Sequence, residues 1–345
     1  MKNGRTDSII QYVREHPGVS SSDIITGLGL NISPATLRRD LALLVADNKL
    51  SVEGQNKGTR YFVSPAYDML APIDVEMYFK KEIDQRKIID HFNFELLGIL
   101  KDAPLFTKRE HEKLIGLQQQ FRENVAKLTP AQYKKEMERL AVDLSWKSSQ
   151  IEGNTYSLLE TERLLLEKET ASGKSLGEAT MLLNHKEALD YLIENPNYLQ
   201  PLSVAKIENI HGILIHDLDV DRNIRTRRIG ITGTNYRPLD NEFQIREALD
   251  DVCDLVNRRE DIFEKALLLL VLISYIQPFN DGNKRTARIV SNAELMANYY
   301  CPISFRTIDS VEYKKAMLVF YEQNNISVFK QIFIDQFEFA VTTYF

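Results

Sequence analysis

The chain has 345 residues, 43% of them hydrophobic and 27% charged, with a formal net charge of -6, enough to bury cores in two or three domains and too acidic for a wholesale nucleic-acid coat. No apolar run is long enough to span a bilayer and no basic start precedes one, which predicts a soluble, cytoplasmic protein with no membrane partner. Cys253 and Cys301 have neither metal nor disulfide spacing, in keeping with a reducing compartment and with small buried side chains.

The charge is uneven, because residues 1–63 carry eight Lys or Arg against six Asp or Glu, a net +2 that leaves -8 for the rest. Three short helices are expected there. The first covers Thr6 to His16, with Thr6 as N-cap, Ile9, Ile10 and Val13 on one face, and Pro17-Gly18 as the stop. A second starts at Ser20 or Ser21 and ends near Gly27 to Gly29. The third opens on Ser33 as N-cap and Pro34 as first helical residue; Leu37, Leu41, Leu44 and Val45 form its buried stripe, with Thr36, Arg38, Arg39 and Asp40 off that stripe. Leu50–Glu53 and Arg60–Val63 read as strands, joined by the turn residues Gly54-Gln55-Asn56-Lys57-Gly58.

The run SPATLRRDLALLVADNKL within this order of elements resembles a winged helix-turn-helix of the DeoR-like type. The resemblance implies a DNA operator as partner, with the third helix and its Thr36, Arg38 and Arg39 in a major groove. Arg38 and Arg39, together with Lys57 or Arg60 of the wing, would then contact phosphates. Winged helices also serve as dimerisation or protein-docking modules, so a homodimer stays open, and a net +2 is a weak electrostatic footprint.

Residues 64–72, punctuated by Pro65 and Pro72, read as a linker. Beyond them the pattern is helical almost throughout: one or two amphipathic helices from Asp74 to about Leu100, then Lys108–Ala126, Thr129-Pro130 to Glu152-Gly153, Leu158–Glu169, Leu176–Glu194 and Val204–Leu218. His91, His111, His211 and His216 lack metal-ligand spacing. The stretch Arg228–Pro238 breaks the rhythm with β-branched residues and glycines and predicts a short hairpin.

The unbroken apolar segment Ala266–Ile273, continued by Ser274-Tyr275-Ile276, leads into Gln277-Pro278-Phe279-Asn280-Asp281-Gly282-Asn283-Lys284-Arg285-Thr286-Ala287-Arg288. Ile289, Val290, Ala293, Leu295 and Met296 then mark a second helix. A polar loop between two buried helices has the makings of an anion site. Gly282 permits positive φ and close approach of the backbone, Asn283 opens the second helix, and its free N–H groups and dipole face an anion. Arg285 and Arg288 share one side of the first turn, and Asp281 is placed to hold a Mg²⁺ that rides on phosphates. The plainer reading is a common DGN turn followed by two solvated arginines.

This run resembles the signature of Fic proteins, HxFx(D/E)GN(G/K)RxxR, with Phe279, Asp281, Gly282, Asn283, Arg285 and Arg288 in register. Fic proteins transfer AMP from ATP to hydroxyl side chains of target proteins. The resemblance covers about Ile73 to Tyr344 and implies a mainly α architecture, in which an all-helical Fic domain (73–345) with a small β-hairpin flap follows the winged helix-turn-helix of residues 1–63. It implies ATP or another nucleotide with Mg²⁺ as cofactor, Asn280, Gly282, Asn283, Lys284, Arg285 and Arg288 around the phosphates, and Asp281 on the metal. Ser148-Ser149-Gln150-Ile151-Glu152-Gly153-Asn154 fits the (S/T)xxxE(G/N) inhibitory helix, so Ser148, Glu152 and Gly153 form a gate in which Glu152 pairs with Arg288 and obstructs the γ-phosphate. The flap, with Thr232, Gly233, Tyr236 and Arg237, would align an extended segment of a target protein by main-chain pairing. His211 matches a family position of packing rather than catalysis.

One position departs from the pattern: where the family has its catalytic His, this chain has Gln277. An amide accepts no proton near neutral pH, and a general base contributes about 10² to 10⁴ in rate, whereas positioned phosphates and metal survive its loss. The readings left open are impaired AMP transfer and a catalytically inactive nucleotide sensor that regulates transcription. De-modification with Glu152 activating water, Doc-like phosphotransfer, which the NKR sequence around Lys284 resembles, and a plain scaffold also stay open.

Overall fold

The computed structural model describes residues 2–345, with the side chains of Lys2, Asn3 and Lys57 outside the described residues. The chain forms two compact units, Met1–Pro72 with Gly98–Pro104, and Ile73–Leu97 with Leu105–Phe345.

The first unit starts with helices α1 (Lys2–Glu15), α2 (Ser21–Gly27) and α3 (Pro34–Ala46), followed by the antiparallel pair β1 (Leu50–Glu53) and β2 (Arg60–Val63), with Leu50 opposite Val63 and Glu53 opposite Arg60. Ser20 and Ser33 accept the N–H groups of Asp23 and Thr36, which fixes the starts of α2 and α3, and Pro34 supplies a preset φ. Ile9, Ile10, Val13, Ile24, Leu37, Leu41, Leu44 and Leu50 close the core. Three expectations need correction. Helix α1 begins at Lys2 rather than at Thr6, and Arg5 in its first turn reaches Asp40 at 2.7 Å. Asp40 is therefore buried rather than off the core face, since a carboxylate is tolerated there only when paired. Within 64–72, Pro65 starts a short helix, α4 (Pro65–Leu70), whose Ala66 and Met69 are buried, instead of an irregular linker.

The chain continues through α5 (Val75–Phe79), α6 (Leu96–Asp102), α7 (Lys108–Val125), α8 (Pro130–Ile151), α9 (Leu158–Glu167) and α10 (Leu176–Glu194). It ends with α11 (Val204–Leu214), α12 (Glu242–Arg258), α13 (Ile262–Ile276), α14 (Asn283–Ala297), α15 (Ser310–Gln323) and α16 (Ser327–Tyr344). Reciprocal capping boxes at Thr107/Glu110, Thr129/Gln132, Ser157/Glu160 and Ser175/Glu178 set four of these starts. Helix α13 is buried on every face from Ala266 to Ile276, as an all-apolar helix must be, and forms the centre of the second unit. Helix α14 lies against it; α12, α15 and α16 enclose α13, while α8, α10 and α11 back α14.

The amphipathic helices expected over Asp74–Leu100 shrink to α5, a 3₁₀ turn at Ile83–Gln85 and α6. The main chain between them is engaged elsewhere: the Ile89 N–H donates to the Glu322 carbonyl (2.8 Å), the Asp90 carbonyl accepts from the Arg237 N–H (2.9 Å), and the Asn93 N–H donates to the Tyr275 hydroxyl (3.0 Å). Groups committed to such tertiary bonds are not free for a helical ladder. Among the described residues, no helix is long and apolar enough to cross a membrane.

Candidate functional site

The loop joining α13 to α14 is held from several sides. Gln277 ends α13 in the left-handed region at φ 53°, and Gly282 precedes α14 at φ 79°. A Cβ on Gly282 would stand 3.4 Å from both His211 and Ile215, so glycine serves here both the turn and the fit. Gly282, not Asn283, is the cap position. The Asn283 side chain turns back instead, accepting the Phe279 N–H and donating to the Phe279 carbonyl, both at 2.8 Å. No side chain caps α14, so its first-turn N–H groups stay open. Phe279 stacks on His211 with ring centroids 3.6 Å apart, and the His211 ring nitrogens face the Arg222 and Asp281 carbonyls at 3.1 and 3.0 Å. His211 is a brace for the loop, and burial lowers its pKa.

Arg225 is a brace that sequence reasoning missed. Only 1% exposed, it donates from Nε to the Gln277 carbonyl (2.7 Å), from Nη1 to the Arg227 carbonyl (2.8 Å) and from Nη2 to the Leu239 carbonyl. Its own N–H donates to the Pro278 carbonyl at 3.0 Å. An arginine whose partners are all carbonyls has no carboxylate at helical spacing to give it away.

Beside the loop is a cavity of about 340 Å³ whose lining includes Glu152, Ile229 to Thr232, Gln277, Asn280 to Lys284, Met317 and Tyr321. Gln277 faces it with a side chain already engaged. Its Nε2 donates to the Ser274 carbonyl (2.7 Å), and its Oε1 accepts from Asn283 Nδ2 (3.0 Å).

Glu152 and Lys284 in that lining belong to an ionic cluster that continues behind it through Arg288. Arg288 is fully buried; its Nε donates to Ser148 Oγ and its Nη2 to the Ser148 carbonyl and to Glu152 Oε1, all at 2.9 Å. Its guanidinium also lies 5.1 Å from the centre of the Tyr313 ring. Glu152 caps the C-terminus of α8, and Gly153 turns the chain away at φ 102°. The second carboxylate oxygen, Oε2, accepts from Lys284 Nζ at 3.0 Å. Burial alone would raise the Glu152 pKa, but the charges of Arg288 and Lys284 outweigh it and hold it at about 2. Arg285 pairs through Nη2 with Asp281 at 2.7 Å, the carboxylate remaining 62% exposed. Buried Arg285 Nε and Nη1 and Arg288 Nη1 have no hydrogen-bond partner.

Other expected site residues fall elsewhere. Among the described residues the segment Arg228–Pro238 does not pair with itself as a hairpin; Arg237 instead forms an isolated parallel bridge with His91. The physical reason is competition. Arg86 donates to the Gly233 carbonyl (2.7 Å), Asn235 donates to Asp84 (2.8 Å), and Arg237 pairs with Asp90 through both main chain and side chain. Thr232 is exposed and lies with Gly233 in a turn, while Ile229 and Gly230 before it belong to no helix or strand. Tyr236, expected at a docking face, is buried; its hydroxyl donates to the Tyr275 carbonyl (3.1 Å) and its ring stacks on Tyr275, so it supports the flap from beneath. In the first unit, Arg38 and Arg39 are exposed on α3, Arg60 is exposed on β2, and Thr36 bonds Ser33 Oγ. The Lys57 side chain lies outside the described residues. Among the described residues no group of three or more His, Cys, Asp or Glu could hold a metal, so a cation at Asp281 would need oxygens from its ligand.

Residues 201–295, which include the whole run from Gln277 to Arg288, match the Fic/DOC family model. The chain is distantly similar to protein adenylyltransferases. Protein adenylyltransferase Fic of Nematostella vectensis is 33% identical over 175 residues, 48% of this chain and 40% of that protein. Protein adenylyltransferase fic-1 of Caenorhabditis elegans is 28% identical over 177 residues, 49% of this chain and 34% of that protein. The chain thus spans well under half the length of these curated relatives. In fold it resembles C. elegans Fic-1 (TM-score 0.61, 22% identity, 68% of this chain and 72% of that one). A Fic-domain signalling protein from Bacteroides thetaiotaomicron is also similar (TM-score 0.56, 21% identity, 69% and 94%).

Proposed function

We propose that the second unit binds a nucleotide, ATP with Mg²⁺ in the family's manner, and that it is a protein adenylyltransferase-like site whose AMP transfer is impaired by Gln277 and gated by Glu152. The observation that carries this reading is the set of unpartnered guanidinium donors, Arg285 Nε and Nη1 and Arg288 Nη1, buried next to the uncapped start of α14. Buried donors without partners are costly unless a ligand satisfies them, and phosphate oxygens are the acceptors this cationic set fits. ATP would supply the transferable adenylyl group, with pyrophosphate as the leaving group, and Asp281 would help to hold the metal.

The chain's own residues divide the work. Open N–H groups of the α14 first turn and the two arginines receive phosphate charge. Glu152 competes for the same cations, so binding requires that the carboxylate give way. The irregular main chain of Ile229 and Gly230 in the cavity lining suits an extended target segment. At the position where a base would take a hydroxyl proton, Gln277 Oε1 already accepts from Asn283, and an amide has no usable basicity. Calorimetry with ATP and Mg²⁺ on Glu152→Gly tests the reading: measurable binding is expected, and its absence would remove the nucleotide function altogether.

A second reading concerns the first unit, which we infer to be a winged helix-turn-helix, residues 1–63. It is supported by the exposed Arg38 and Arg39 on α3 and by the antiparallel pair β1–β2 that follows α3. DNA from upstream of its own gene should show a salt-dependent electrophoretic shift that Arg38→Ala with Arg39→Ala abolishes; salt-independent binding would refute it.

A further inference from the structure

The geometry points to Lys284 as a second latch on Glu152, a positioning residue that with Arg288 holds the gate carboxylate over the start of α14. This inference deepens the nucleotide-site reading above and rests on it for its meaning, although the latch itself is a contact within the protein.

Helix electrostatics make the case. Lys284 occupies the first turn of α14, the positive end of the helix dipole, where a cation is unfavourable on its own. Glu152 occupies the C-terminus of α8, the negative end, where a carboxylate is equally misplaced. Brought together at 3.0 Å, each relieves the other. The spacing is also suited to the task, since Lys284 and Arg288 stand four residues apart and share a face of α14. Each grips its own oxygen, Arg288 on Oε1 and Lys284 on Oε2.

The two grips differ in exposure. Arg288 has no exposed side-chain surface, whereas Lys284 keeps 24% of its own. Lys284 is therefore the leg that water and salt reach first, and the gate opens from that side. A ligand that replaces Glu152 must satisfy buried Arg288, for which a phosphate oxygen is suited, whereas Lys284 can turn to water once released.

The test compares ATP affinity by calorimetry in wild type, Lys284→Met, Lys284→Arg, Glu152→Gly, and Glu152→Gly with Lys284→Met. Removing the latch should tighten ATP binding about fivefold, Lys284→Arg should behave as wild type, and in the Glu152→Gly background Lys284→Met should give no gain. If Lys284→Met weakens binding alike in both backgrounds, Lys284 is a phosphate ligand only and the latch is overturned. Hydrogen–deuterium exchange without nucleotide decides independently. Amides of residues 148–154 should exchange faster in Lys284→Met and at the wild-type rate in Lys284→Arg; unchanged exchange in Lys284→Met overturns the latch. Should no variant bind ATP, the nucleotide reading falls while the exchange result still judges the contact.

Discussion

The two ends of the Gln277–Arg288 run are built on different principles. At the Gln277 end the polar groups are neutral and matched: the side-chain amide, the Ser274 carbonyl and Asn283 satisfy one another. At the Arg288 end they are charged and oversupplied, with three guanidinium nitrogens left over among the described residues after Glu152, Ser148 and Asp281 have been served. A matched neutral network makes no demand on a ligand, while an oversupplied cationic one does. On the proposed reading, that contrast is what a site able to bind phosphate but short of a proton acceptor requires.

Changing each end in turn would test that contrast. The largest effect should come from the neutral end: with Glu152→Gly opening the site, adding Gln277→His should raise AMP transfer from labelled ATP by about 10² or more, and no gain would mean that something besides the base is missing. At the ionic end, Arg288→Ala leaves Glu152 short of its buried partner and should lower stability by about 3–5 kcal/mol in denaturant unfolding. The contribution of Glu152 follows from its pKa, held at about 2 against an ordinary 4.5, or about 3 kcal/mol in favour of the folded state. Because the folded value is the depressed one, that stability is fully present above about pH 4.5 and is lost as pH falls towards 2. The stability gap between wild type and Glu152→Gln should be flat through neutral pH and shrink in acid; a gap that widens in acid would contradict the ion pairing. The smallest change is expected beneath the flap, where Tyr236→Phe removes one hydrogen bond to the Tyr275 carbonyl, about 1 kcal/mol in thermal unfolding.

Local signals were legible in the sequence, and long-range ones were not. Ser33-Pro34 and Thr129-Pro130 mark helix starts because caps act within three residues, and the apolar run before Gln277 identifies the buried helix α13. The polar loop between two helices, with Arg285 and Arg288 in its wake, was likewise visible. The grip of Lys284 on Glu152 spans 132 residues, and nothing in the chain's local pattern separates it from a solvated lysine. Arg225 was hidden for the same reason, since its carbonyl partners are not encoded by residue type. Residues 228–238 have the composition of a hairpin, yet Arg86, Asp84 and Asp90 from a distant stretch take their hydrogen bonds. Composition reports what a segment favours alone, and here a neighbour offered more.

Arg225 has a further consequence for how this site can change over time. By binding the carbonyls of Gln277, Arg227 and Leu239 at once, it fixes the shape of the Gln277 turn through main-chain atoms rather than through the Gln277 side chain. The left-handed bend at Gln277 is maintained from outside, so the identity of that side chain is free to drift while its direction is not. A change of side chain at position 277 would then alter what the turn presents and leave the turn itself in place.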